Sequence, residues 1–141
     1  MVDMRLRIIS SKREIGTLDP TEEHVHLTFR PSNADVVALI QACPNLKVVH
    51  IPDSYKKTMS KSANMFLSAN NIKLLVGDVC GHRKDINQYY TVSEAIILEI
   101  LNHQKNGIQR SEVVRRVNRN FRLSPDLINH IIDTNNEQMG L

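Results

Sequence analysis

The chain has 141 residues, 41% hydrophobic and 23% charged, with 4% aromatics, no tryptophan and a net charge of +3. Such a composition fits one compact unit, or a small domain with a helical appendage, whose core rests on Ile, Leu and Val. No segment approaches the roughly 20 apolar residues of a membrane span, the opening MVDMRLRIISSKREIG is too charged for a signal peptide, and Cys43 and Cys80 form neither a metal-type pair nor a disulfide framework, so a cytoplasmic location is expected.

From the N-terminus, MRLRII (4–9) alternates and is β-branched at its end, which reads as a strand. SSKREIGTL (10–18) has room for one short helical turn. HVHLTF (24–29) is the second strand. SNADVVALIQA opens with Ser32 and, three residues on, Asp35, an aspartate form of the capping box. Its apolar positions Val36, Val37, Leu39 and Ile40 recur at helical spacing. KVVHI (47–51) and IKLLVG (72–77) are the third and fourth strands. Between them SYKKTMSKSANMFLSA predicts one helix capped by Asp53 or Ser54.

The second, third and fourth strands start about 24 residues apart, each followed by a helix or loop. That βα rhythm predicts an α/β fold with a small, mostly parallel sheet of about four strands. CPNLKVVHI also resembles a single leucine-rich repeat, but two or three loose copies are too few for a solenoid to bury its ends.

After residue 90 the pattern becomes wholly helical, dividing the chain into a 1–90 α/β domain and a 91–141 helical segment. TVSEAIILEILNHQKNG runs from a Thr91 or Ser93 cap to Gly107. Apolar residues wrap nearly around helix 92–104, so it is expected to be buried on both sides or to form a homodimer interface. QRSEVVRRVNRN follows with Ser111 as cap. LSPDLINHII begins at Ser124 with Pro125 at the first helical position, and the polar tail DTNNEQMGL is expected to fray.

Three strings, HLTFRPSN (26–33), SYKKTMSKS (54–62) and GDVCGHRKDINQYY (77–90), together resemble a small family of archaeal proteins known chiefly from methanogens. The resemblance implies an archaeal cytosolic protein. The family is one of unknown function, so it brings no reaction, cofactor or ligand. TMSKS (58–62) is also similar to the lysine loop with which class I aminoacyl-tRNA synthetases hold ATP. The chain is too short for an ATP site, an amino-acid pocket and a tRNA surface together, and His50 lacks the neighbouring glycine such a site needs. The lysines read better as an exposed helix face.

Two candidate sites follow. All six basic residues after position 90 lie between Lys105 and Arg122, opposed only by Glu112; that stretch carries +5 and the remainder of the segment −5. Its rhythm is similar to helix-turn-helix domains, with Ser124 to Asp133 as the recognition helix. Arg110, Arg115, Arg116, Arg119 and Arg122 are then the phosphate contacts, while Asp126, Asn129 and His130 form the solvent face of the reading helix. Against this, NRNFR lengthens the turn and the reading helix has no Arg or Lys, so phosphate binding to DNA or RNA is better supported than base readout. The leading expectation is a non-enzymatic regulatory protein that binds nucleic acid, with a homodimer through helix 92–104 as one arrangement; a helical docking domain for another protein is an alternative.

The second candidate site lies beyond the carboxyl ends of the strands, where Arg30, Ser32, Asn33, Ser54, His82 and Arg83 converge with helix N-termini to suit a small anion or nucleotide. The plainer reading makes Ser32 and Asp53 caps and pairs Arg30 with Asp53 or Asp78. Cys80 and His82 lack the further ligands zinc requires and the third group covalent catalysis requires. His24, His26, His50, His103 and His130 stand singly and read as structural. No catalytic residue, cofactor or metal is assigned.

Overall fold

A computed structural model describes residues 4–78 and 89–138. They fall into two compact units, one centred on Leu6–Asp78 and the other on residues from Thr91 onward.

The first unit is a βα array. Strands β1 (Met4–Ile9), β2 (His24–Leu27), β3 (Val48–Ile51) and β4 (Lys73–Val76) are joined in turn by a 3-10 helix (Lys12–Thr17), by α1 (Asn33–Ala42), and by α2 (Asp53–Thr58) followed by α3 (Lys61–Ala69). A further strand, β5 (Tyr89–Val92), makes the sheet five-stranded in the order β4-β3-β2-β1-β5. The pairings β1–β2, β2–β3 and β3–β4 are all parallel. β5 departs from the expectation of about four strands, and β2 ends at Leu27 rather than Phe29.

β1, β2 and β3 each pair with the next strand in the chain, and His24 stands opposite Val48, which stands opposite Lys73. Side chains alternate between the two faces of a strand, so each row of register partners shares a face. On one face Val25, Leu27, Val49 and Ile51 form a single core cluster with Ile15 and Leu18 of the 3-10 helix, Val36 and Leu39 of α1, and Ala63 and Leu67 of α3. All three crossovers therefore lie on one face. Burying each of these larger side chains stabilises the unit by about 1.5–3 kcal/mol. The opposite face carries the row Ile8, His26, His50 and Leu75, of which the first three are at most 1% exposed.

Local chemistry sets the helix boundaries. Ser32 caps α1 as a full capping box: its hydroxyl accepts the Asp35 N–H at 3.2 Å, and its own N–H donates to Asp35 Oδ2 at 2.8 Å. The single helix expected over residues 54–69 is instead two. α2 starts at Asp53 behind Pro52, with no side-chain cap. Extended backbone at Met59 and Ser60 ends it, and the Ser60 hydroxyl then accepts the Ala63 N–H at 3.0 Å to start α3. TMSKS thus spans a helix break.

The second unit contains α4 (Glu94–Lys105), α5 (Arg110–Phe121) and α6 (Pro125–Gln138). Ser93, not Thr91, caps α4. α4 closes at Gly107, whose φ of 78° suits glycine. Ile97 and Ile100 are buried, but Leu98 is 51% exposed, so the helix is not covered all round as expected. α5 is preceded by Gln109 rather than capped by Ser111. Ser124 caps α6 through the Leu127 N–H at 3.2 Å. That helix continues to Gln138 where a frayed tail was expected.

No helix among the described residues is long and apolar enough to cross a membrane.

Candidate functional site

The basic stretch of the second unit is carried by α5. Val113 and Val117 are fully buried and fix which side of the helix faces inward. At about 100° per residue, Arg115 lies about 180° from that side and Arg119 about 140° from it. Arg122 follows one turn later as the left-handed C-cap, with φ 56°, and its N–H donates to the Asn118 carbonyl at 2.8 Å. Arg115, Arg119 and Arg122 are all exposed, and form a ridge about 10 Å long.

The five arginines differ electrostatically. Arg115 makes a fork to Glu112, with Nε to Oε1 at 2.8 Å and Nη2 to Oε2 at 2.7 Å, and Arg116 Nε reaches the same carboxylate at 3.3 Å. The Arg115 hydrogen bond is the main cause that holds the Glu112 carboxyl down to about 2; the same pairing raises the Arg115 guanidinium. Arg110 bonds Asp133 of α6 at 2.9 Å. Neither Arg119 nor Arg122 takes part in an ion pair among the described residues.

Because α5 runs to Phe121, the turn to α6 is only Arg122, Leu123 and Ser124, shorter than NRNFR implied. The Asn118 side-chain amide donates to the Leu123 carbonyl at 2.7 Å and braces it. On α6 the residues Leu127, Ile128, Ile131 and Ile132 are buried as expected. Asp126, Asn129 and His130, expected to face solvent, are half-buried, and no α6 residue between Pro125 and Glu137 is exposed. His130 Nε2 stands 3.4 Å from the Thr134 hydroxyl.

At the carboxyl edge of the sheet, Arg30, Ser32, Asn33 and Ser54 are exposed; His82 and Arg83 lie outside the described residues, as does Cys80. Much of this edge is engaged internally. The Ser32 hydroxyl serves α1, Asn33 Oδ1 accepts the Ser60 hydroxyl at 2.5 Å, and Lys12 stands 3.6 Å from Asp35. Asp53 pairs with Lys57 at 2.8 Å, and no ion pair joins Arg30 to Asp53 or Asp78 among the described residues. Since β1 to β4 are wound in one direction, no reversal of strand order opens a crevice among them.

Two relationships escaped the sequence reading. His26 and His50 do not stand singly: they are register partners, with Nδ1 atoms 2.8 Å apart. The signal was available, since their separation in sequence equals the strand repeat. Tyr89 of β5 donates its hydroxyl to Glu22 at 2.5 Å, while the Arg7 guanidinium lies 5.9 Å from the centre of the Tyr89 ring. No group of three or more potential metal ligands occurs among the described residues.

The model of the N-terminal domain of a family of unknown function (DUF1699) matches residues 5–88, more than half of the chain. The chain belongs to that family. No curated protein and no solved structure matches it. The DUF1699 N-terminal domain takes in β1 to β4, the histidine pair and the sheet edge, whereas α4, α5 and α6 with the arginine ridge lie beyond the matched residues.

Proposed function

We propose that this protein is a non-enzymatic regulator that binds nucleic acid through its C-terminal helices, by contacts to phosphate. The observation behind this reading is the α5 ridge, in which Arg119 and Arg122 are exposed and not ion-paired among the described residues while Val113 and Val117 anchor the helix. Guanidinium groups suit phosphate because they offer paired donors in a planar fork. Half-burial of Asn129 and His130 favours backbone binding over base readout by α6. The three-residue turn supports a helix-turn-helix-like arrangement of α5 and α6. With the likeness to archaeal proteins, the reading places the regulator in an archaeal cytoplasm.

Fluorescence-anisotropy titration with random duplex DNA and with single-stranded RNA, each at two salt concentrations, tests it. Binding that weakens steeply with salt is expected, because displaced counterions drive it. Replacing Arg115, Arg119 and Arg122 together with Ala lowers the affinity and flattens the salt dependence. No binding to either polymer at low salt would overturn the proposal. The sheet-edge anion reading has less support, because Ser32 and Asn33 already serve internal hydrogen bonds.

A further inference from the structure

We infer that α4 is the contact helix of a two-fold dimer, and that what covers its outward face is a second copy of this chain. The inference is independent of nucleic-acid binding, since the α5 arginines take no part in it.

Four residues form the outward stripe of α4, namely Glu94, Leu98, Leu101 and Lys105, at successive spacings of four, three and four. That spacing keeps them on one side of a helix. Leu98 is 51% exposed, Leu101 is half-buried, and Glu94 and Lys105 are exposed. A shallow groove lined by Leu98, Glu99, Leu101, Asn102 and Lys105 lies along this side. Ile97 and Ile100 lie outside this stripe and are buried.

The stripe is self-complementary when inverted. Glu94 and Lys105 are equidistant from the point between Glu99 and Ile100, and so are Leu98 and Leu101. A two-fold axis through that point runs the two helices antiparallel. Each Glu94 then meets Lys105 of the second copy, and each Leu98 meets Leu101 of the second copy. One rotation satisfies the charged and apolar pairs together, which is the condition an isologous interface imposes. A parallel arrangement would instead set Glu94 against Glu94 and Lys105 against Lys105, and like charges in contact oppose association. Glu99 borders the same groove, about 100° round the helix from Leu98, and the axis sets it level with Ile100 of the second copy rather than with Glu99.

Sedimentation velocity on the full chain over a concentration series decides the matter. The wild-type protein is expected to dimerise, and Leu98→Glu to weaken dimerisation by about tenfold or more, as loss of a central apolar contact does. Glu94→Lys and Lys105→Glu each weaken it severalfold, and the double reversal restores it. Should Leu98→Glu fail to fold, the charge reversals at two exposed positions decide alone. A monomer at every concentration, a dimer indifferent to these substitutions, or a double reversal no better than either single change would overturn the proposal.

Discussion

The Nδ1 atoms of His26 and His50 stand 2.8 Å apart across two parallel strands, at positions that are 1% and 0% exposed. At that distance one Nδ1 donates its N–H and the other accepts it. The rings are 4.9 Å apart and tilted by 45°, which joins packing to the hydrogen bond. Replacing either histidine with Ala removes the bond and leaves a void in the sheet face, an expected loss of about 2–3 kcal/mol. In urea denaturation the double substitution costs less than the sum of the singles, with a coupling of about 1–2 kcal/mol. Strict additivity would show that the two side chains stabilise the sheet separately.

Glu112 organises two arginines on α5, and its titration reports that arrangement. With its carboxyl held down to about 2, from an ordinary 4.5, the ion pairs persist at acid pH and are lost only as the pH falls through about 2. Carbon-13 NMR titration of the Glu112 carboxyl should give that midpoint, and Arg115→Ala should return it towards the ordinary value. Glu112→Gln removes the acid within the basic stretch, so nucleic-acid binding should tighten and its salt dependence steepen.

Arg122 separates backbone strain from phosphate contact. Its φ of 56° disfavours any side chain. In Arg122→Gly the strain is relieved while the unfolded chain gains freedom, so stability should be unchanged or raised by up to about 1 kcal/mol. The guanidinium is lost in the same step, and the salt slope of nucleic-acid binding should fall by about one. Thermal denaturation and anisotropy on the same variant resolve the two effects.

Ser60 starts α3 and also donates to Asn33, the first residue of α1. Ser60→Ala is expected to cost about 1–2 kcal/mol in urea denaturation and to leave nucleic-acid binding unchanged. A loss confined to binding would instead give the TMSKS string a direct role in function.

Where one segment carried its own instruction, the sequence was sufficient. Ser32 with Asp35, and Ser124 with Pro125, each specify a helix start through a hydrogen bond within a few residues of itself. Alternation with a β-branched end likewise marked β1, and short apolar runs bounded by turn or cap residues marked β2, β3 and β4. Readings failed where two options had equal local support. Met59 and Ser60 sit in a stretch with enough helical character to read as continuous, so only the observed cap reveals the break. The aromatic and β-branched run Tyr89–Val92 favours a strand, but Thr91 also reads as a cap for the helix that follows. His26 and His50 could be joined only by supplying strand register to the separate readings of β2 and β3. The arginine-bearing helix was legible from charge, whereas half-burial of Asn129 and His130 depends on tertiary packing that no local pattern encodes.

The strand order also bears on how the sheet assembles. From β1 to β4 every strand meets the next one along the chain, so pairing can advance stepwise with one short closure at a time. β5 breaks that rule: it follows β4 in the chain yet lies beside β1, at the opposite edge. Its placement requires the longest closure in the sheet, and by that measure it is the last strand to join during folding. The Tyr89–Glu22 hydrogen bond would then form late, and Tyr89→Phe should accelerate unfolding while leaving the folding rate nearly unchanged.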